Sequence, residues 1–308
     1  MSHKYLVVGG SGFAGTRLCS KIIERGDTYI AIDRSPFDCD NHFTVDITAP
    51  DEVSAAIQKI GPVDCIFHLA AMSFVPDTVK DPIKAVDCNL SGTINLLSIF
   101  RDELPNARFI YISSSEVYGV PQYLPIDENH PVSPNNPYAI TKLAADQYCK
   151  FFGAKYDLDI VRVRPFNHSG SGQRPDFVLP SFARQIAQIE NGILTPTLRV
   201  GNLEAARDFS HVDDVVDAYL AIAEKGKTGE VYNVCSQRSY KIRDLLEQLM
   251  VKSESCINVE VDPKRFRPLD VPEICGSHDK LTRHVGFEPK HTIEELLDEL
   301  LAYWRKNI

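Results

Sequence analysis

A strand, a glycine-rich turn, a helix and a second strand ending in an acid follow one another within the first 33 residues, and this order restricts the fold more than any other feature of the chain. Tyr5-Leu6-Val7-Val8 is a continuous apolar run, the pattern of a strand buried on both faces. Gly9-Gly10-Ser11-Gly12-Phe13-Ala14-Gly15 follows. The segment from there to about Arg25 has helical periodicity through Leu18, Ile22 and Ile23, and Gly26 stops it. Tyr29-Ile30-Ala31-Ile32 reads as the second strand, closed by Asp33. In this setting the glycines read as a dinucleotide-binding turn. Gly9 permits the tight turn, Gly12 lets a pyrophosphate approach the backbone, and Gly15 lets helix and strand pack closely. The helix N-terminus offers free N–H groups and a positive dipole end to phosphate, with Phe13 counted among the cofactor-binding residues. Asp33 would accept hydrogen bonds from the adenosine ribose, which favours NAD, while the adjacent Arg34 suits a 2′-phosphate and keeps NADP open. The plain structural alternative is a tight turn with no ligand.

The alternation continues. Phe43-Thr44-Val45 leads to Asp46-Ile47, a helix is expected near 50–60, and a strand over Val63–Leu69. A long helix is expected from about Pro82 to Phe100, then a strand Phe109–Ile112 ending at Ser113-Ser114-Ser115. Strands alternating with helices imply an α/β fold with a Rossmann-type, doubly wound parallel sheet. Ligand sites in such sheets lie at the carboxyl ends of strands, where Asp46, Ala70, Ala71 and Ser114 fall. After about residue 165 the pattern loosens. Gly229–Val234 reads as a strand that rejoins the sheet, so the NAD(P)-binding domain is expected over 1–165 plus about 210–235. A smaller C-terminal α/β substrate-binding domain is expected over about 166–209 plus 236–308. Asp213 and Asp214 suit a helix start, and the amphipathic stretch Ile293–Trp304 suits a packed cap.

Composition narrows the partners. The net charge is −9 with no Lys/Arg block, which argues against nucleic acid or an anionic membrane; an anionic small ligand needs only a few local arginines. No apolar stretch is long enough to span a bilayer, and the N-terminus does not read as a signal peptide. Eight scattered cysteines without a CxxC pair read as reduced thiols of a cytoplasmic protein. His278, His284 and His291 lack metal-ligand spacing and no HExxH occurs, so no metal is expected.

Tyr138-Ala139-Ile140-Thr141-Lys142 places a phenol and an ammonium four apart, on one face of a helix that Pro137 can begin. Ser114 ends the preceding strand and can face them. Exchanging hydride at an alcohol or ketone carbon needs a group that moves a proton at the oxygen. A phenol with pKa near 10 serves poorly as a base unless a nearby ammonium lowers it. The expectation is therefore a phenol made more acidic by Lys142, with Lys142 also bonding the nicotinamide ribose and Ser114 holding the substrate oxygen. The structural alternative is a surface Lys beside a packed Tyr.

These residues, together with Gly9/Gly12/Gly15, Leu69-Ala70-Ala71 and Arg164-Pro165-Phe166-Asn167, resemble the extended short-chain dehydrogenase/reductase family over essentially the whole chain. Within it the chain is most similar to the GDP-mannose branch, and the nearest pattern is that of GDP-4-keto-6-deoxy-D-mannose reductases. Pro165-Phe166-Asn167-His168, Phe182–Ala187, Val200–Phe209 and Arg267–Pro272 carry that likeness. The resemblance implies a cofactor set that adds Ile47, Leu69, Ala70, Ala71 and Pro165 to the residues above. It implies that Arg207 and Arg267 bind the nucleotide diphosphate and Asp270 the nucleotide ribose. Asn167, Val178 and Asn202 join the sugar-nucleotide pocket, and a homodimer would form through the helices near 82–100 and 137–153. Guanidinium groups suit diphosphates because they pair bidentately with phosphate. Glu116 matches the acid/base of dehydratases and is read as an auxiliary catalytic group. Serine at 114, and a chain shorter than the dehydratases, favour 4-keto reduction of a GDP-4-keto-6-deoxy-hexose. The alternatives are a GDP-sugar 4-epimerase, 4,6-dehydratase or 4-dehydrogenase, or an NAD(P)-binding regulatory protein.

Overall fold

The computed structural model describes residues 2–36, 41–265 and 271–308. The apolar run after the N-terminus forms β1 (Lys4–Val8), followed by α1 (Phe13–Glu24) and β2 (Thr28–Asp33). Then come β3 (His42–Thr44), α2 (Pro50–Ile60), β4 (Cys65–His68), the short α3 (Val75–Lys80) and α4 (Pro82–Val86), and α5 (Gly92–Glu103). β5 (Arg108–Ile112), α6 (Pro137–Tyr156) and β6 (Ile160–Pro165) complete the first half. The second half contains β7 (Asn167–Ser169), α7 (Val178–Glu190), β8 (Thr197–Val200), β9 (Ala206–His211) and α8 (Val212–Lys225). It continues with β10 (Val231–Val234), β11 (Ser239–Lys241), α9 (Ile242–Val251), β12 (Asn258–Val261), β13 (Glu273–Ile274), α10 (Asp279–Val285) and α11 (Ile293–Lys306).

Seven strands form one sheet in the order β10-β6-β5-β4-β1-β2-β3, and every pairing in it is parallel. Parallel strands need crossovers, and the crossover helices cover both faces. Val53, Ile57, Leu96, Phe100 and Cys149 of α2, α5 and α6 pack on one face with Leu6, Val8 and Ile66. Leu18, Ile22, Val215 and Tyr219 of α1 and α8 pack on the other with Val7, Phe67 and Val161. This is the Rossmann-type α/β fold, and the strand from the second half does rejoin the sheet, Val231–Val234 pairing with Arg162–Pro165. A third cluster unites α7, β8, α9 and α11 through Leu179, Ile186, Leu198, Leu245 and Leu297. Smaller sheets lie beside it: β9 pairs with β7, β11 and β13, and β8 with β12.

The helix expected over 82–100 is interrupted. Between α4 and α5, residues Asp87–Ser91 widen into a π-turn. Asn89 there is buried and exchanges hydrogen bonds with the Met72 backbone in both directions, at 2.7 and 3.2 Å. Its amide also donates to Thr141 Oγ1 at 3.0 Å. A side chain bound to three outside groups explains why the helix opens there, since π-turns persist where such contacts hold them.

Candidate active site

The glycine turn joins the ends of β1 and β4. Gly9 has φ +94, and a Cβ on it would lie 2.6 Å from the Ala70 nitrogen, so only glycine passes there. Ala70 and Leu69 both donate backbone N–H groups to the Val8 carbonyl, which fixes that neighbour. A Cβ on Gly15 would meet the Gly9 carbonyl at 2.1 Å, so α1 lies directly on the turn. Gly12 differs: its Cβ would meet only the Gly9 carbonyl, at 3.2 Å, and no side chain caps the helix start. The backbone is therefore open to an anion where the helix N–H groups lack intrahelical acceptors. The residues present fit a dinucleotide diphosphate.

Asp33 ends β2 and accepts from the Ser11 and Ser35 amides, at 3.2 Å each, with exposed Arg34 between. Asp46 accepts the amide and hydroxyl of Thr48, which hold its carboxyl below the usual range. Ile47 is buried, and its side chain lies where a Cβ on Gly92 would clash. Phe13 stacks on His168, with ring centroids 6.1 Å apart and planes 7° from parallel, which ties the glycine turn to the segment after Pro165.

Ser114 lies two residues beyond β5 with extended backbone, and its hydroxyl accepts the Glu116 amide at 3.2 Å. The same hydroxyl faces the Tyr138 phenol and favours its ionised form. Tyr138 is placed by its helix start: Pro137 begins α6 and Asn136 caps it, accepting from the Ala139 amide at 2.9 Å. The Asn136 amide reaches a Glu116 carboxylate oxygen at 3.1 Å, so Glu116 stands at the edge of the same group. Lys142 is buried one turn along, its Nζ donating to the Ile112 carbonyl and lying 4.6 Å from the Tyr111 ring centre.

One expectation is corrected. The phenol is not made more acidic by the ammonium. Packing around the half-buried Tyr138 pushes its phenol up to about 12, the Ser114 hydroxyl opposes that rise, and the Glu116 charge adds to it. Burial also brings Lys142 down to about 8, against nearby Cys149, Cys88 and Asp146. Four residues of helical spacing place the two groups on one face, but that spacing leaves open where a long ammonium side chain points. Here it turns to the end of β5.

Asn167 starts β7, Val178 starts α7, and Asn202 accepts the Glu204 amide at 2.9 Å. Arg207 on β9 donates Nη1 to the Ala206 and Val271 carbonyls, at 2.8 and 2.7 Å. Arg267 and Asp270 lie outside the described residues. A cleft of about 690 Å³ opens between the loop after β4 and the α7–β8 side, lined among others by Phe74, Asp176, Ser181, Arg184, Arg199 and Arg265. Those three arginines went unassigned in the sequence reading. Isolated arginines carry no pattern there, and only the fold gathers them. Asn89 was likewise missed.

His211 and His291 also approach only in three dimensions, with ligand atoms of His211, Asp213 and His291 all within 4.8 Å. Their geometry suits stacking better than coordination. The rings lie 4.2 Å apart and 18° from parallel. His211 Nε2 meets Glu299 at 2.6 Å and its Nδ1 accepts the Asp213 amide at 3.1 Å, so neither nitrogen is available to an ion. The described cysteines form no disulfide among themselves, and no helix among the described residues is long and apolar enough to cross a membrane.

The fold and this serine–tyrosine–lysine set define an NAD(P)-dependent nucleotide-sugar enzyme of the extended short-chain dehydrogenase/reductase type, and the chain belongs to the GDP-mannose 4,6 dehydratase family, whose model matches residues 6–300. A GDP-6-deoxy-D-mannose reductase of Pseudomonas aeruginosa is 35% identical, aligned over 100% of this chain and 99% of that one. A GDP-6-deoxy-D-talose 4-dehydrogenase of Aggregatibacter actinomycetemcomitans is 28% identical over 96% of each. Among solved structures, RMD from P. aeruginosa complexed with NADPH superposes with a TM-score of 0.89 at 34% identity, covering 100% of both chains.

Proposed function

We propose that the protein reduces the C4 ketone of a GDP-4-keto-6-deoxy-hexose, giving a GDP-6-deoxy-D-mannose (GDP-rhamnose) type product. The observation that carries this reading is the convergence of Ser114, two residues beyond β5, and Tyr138, at the start of α6, with the phenol pushed towards its protonated form. Ketone reduction needs a proton donor at the carbonyl oxygen, and a phenol kept protonated near neutral pH is that donor. When bound, the reduced nicotinamide supplies the hydride for C4. Tyr138 gives its proton to the O4 atom, Ser114 holds that oxygen in line, and Lys142 bonds the nicotinamide ribose. Arg207 and Arg267 bind the diphosphate, Asp270 the nucleotide ribose, and Asn167, Val178 and Asn202 the rest of the sugar nucleotide. Full-length likeness to a reductase of this class supports the assignment.

A second reading has one observation in its favour. Glu116, held by Asn136 beside Ser114 and Tyr138, is an acid/base placed for proton removal, as 4,6-dehydration requires. Mixing the protein with a GDP-4-keto-6-deoxy sugar and NADH or NADPH separates the two. Loss of nicotinamide absorbance stoichiometric with product supports reduction. Conversion of a GDP-sugar without net cofactor loss refutes it in favour of dehydration or epimerisation, and a bound cofactor that never reacts supports a regulatory role.

The finer cofactor choice follows Asp33. Its carboxylate faces the site of the adenosine ribose and favours NAD, while Arg34 leaves NADP usable. The chain divides into a cofactor domain of 1–165 plus about 210–235 and a substrate domain of the remainder. A homodimer is supported by an apolar stripe open to solvent: Ile83 on α4 is 74% exposed, and Ile140 and Phe151 on α6 are 52% and 54% exposed. Buried thiols outside any disulfide support a cytoplasmic location.

A further inference from the structure

Behind Lys142 lies a group that the reaction so far leaves without a task. His68 ends β4, fully buried, in register with Tyr111 on β5. Its ring packs 5.7 Å from that of Tyr111 and 6.1 Å from that of Phe109. The Thr93 hydroxyl donates to the Asn89 carbonyl at 2.7 Å, so towards His68 it can only accept. His68 Nε2 lies 2.9 Å from that oxygen and must carry the hydrogen. The tautomer is thereby set, and Nδ1 presents a bare lone pair. Nδ1 is buried without a hydrogen-bond partner. An unmatched buried acceptor is costly, and a leucine would fill the same space without that cost.

A rich donor against the same Tyr111 ring is Lys142. Its Nζ lies over the same Tyr111 ring, and of its three N–H groups one goes to the Ile112 carbonyl. The Tyr111 hydroxyl is committed elsewhere, to the Lys142 backbone carbonyl at 3.3 Å. Burial first, and the Lys142 charge second, bring His68 down to about 3, so the imidazole stays neutral and its lone pair stays available at working pH. The other titratable groups acting on Lys142 are Cys149, Cys88 and Asp146.

We propose that His68 is a positioning residue for Lys142: its Nδ1 lone pair takes a hydrogen bond from the ammonium through one water, and so sets where that ammonium stands relative to Tyr138. This rests on the reading of Ser114, Tyr138 and Lys142 as the proton-handling set. The Thr93–Asn89 contact then gives the π-turn a second use, since it holds the His68 tautomer.

The test exploits the two ends of the ring. His68→Asn puts an amide oxygen near the place of Nδ1 and loses the Thr93 bond. His68→Gln can reach Thr93 with its amide nitrogen and loses the Nδ1 acceptor. If Nδ1 is what matters, the Gln variant drops kcat about tenfold, less than loss of a direct proton donor would cost. It also shifts the alkaline limb of the pH profile, with KM for the sugar nucleotide unchanged, while the Asn variant stays near the parent. The reverse order means that His68 only holds Thr93 and overturns the proposal, as do two folded variants that both match the parent. A readout free of turnover uses the unmodified protein. Its 15N spectrum should show a neutral His68 with hydrogen on Nε2 and an Nδ1 shifted by accepting a hydrogen bond; the shift of a bare nitrogen overturns the proposal even if neither variant folds. A parent that fails to reduce the sugar nucleotide counts against the proposed reaction alone, and the spectrum still judges His68.

Discussion

A single hydroxyl on Tyr138 carries the proposed proton transfer, so the residue scale gives the sharpest expectations. Tyr138→Phe should lower kcat by roughly 10²–10⁴-fold, the usual worth of a positioned acid, while KM for the sugar nucleotide changes little. A Phe variant as fast as the parent would remove Tyr138 from the mechanism. Burial brings Lys142 down to about 8, so kcat/KM should decline on the alkaline side with a midpoint near pH 8 as the ammonium is lost. The same burial has a stability sign. Between about 8 and the ordinary lysine value, the unfolded chain holds a proton that the folded chain has released, so this group's unfavourable share shrinks as pH rises through that window. Lys142→Met should therefore stabilise the fold at pH 7 by on the order of 1–3 kcal/mol and gain less above pH 9, measured by denaturant unfolding at both pH values. Equal gains at the two would contradict the burial argument.

At the scale of elements, the glycine turn and α1 act as one unit. Gly15→Ala places a methyl 2.1 Å from the Gly9 carbonyl, an overlap that only backbone movement relieves. The expected cost is about 1–3 kcal/mol in stability, together with weaker dinucleotide binding read by cofactor fluorescence. The helix α11 offers a contrast. Thr292 and Glu295 form a reciprocal capping box at its start, far in sequence from the cofactor turn. Thr292→Ala should cost about 1 kcal/mol in unfolding free energy and leave kcat unchanged. Most elements of the main sheet are legible in the chain because buried parallel strands are short apolar runs and their helices carry a 3.6-residue repeat. The π-turn at Asp87–Ser91 is not, because its cause is the capture of Asn89 by Met72 and Thr141, which no local periodicity records.

For the whole molecule, the parts are joined by contacts between distant segments. Glu299 of α11 meets Arg17 of α1 at 2.9 Å, His211 at the end of β9 and the Ser171 amide, linking the helix that leaves the glycine turn to the second half of the chain. The exposed stripe of Ile83, Ile140 and Phe151 is expected to be covered by a second copy. Phe151→Glu should shift sedimentation from dimer to monomer, and a parent that sediments as a monomer would sink the dimer.

The sequence alone determined the strand–turn–helix order, the acid that closes β2, and the serine, tyrosine and lysine of the candidate site, because each depends on local chemistry: backbone freedom at glycine, periodicity, and four-residue spacing on a helix. Tertiary structure alone decided that the Tyr138 phenol is held high rather than low, that Lys142 turns to Ile112, that Thr93 meets His68 and Asn89 meets Met72 and Thr141, and that the arginines of the cleft line one cavity. Burial and the direction of a long side chain are set by neighbours dozens of residues away, and a pattern read along the chain does not contain them.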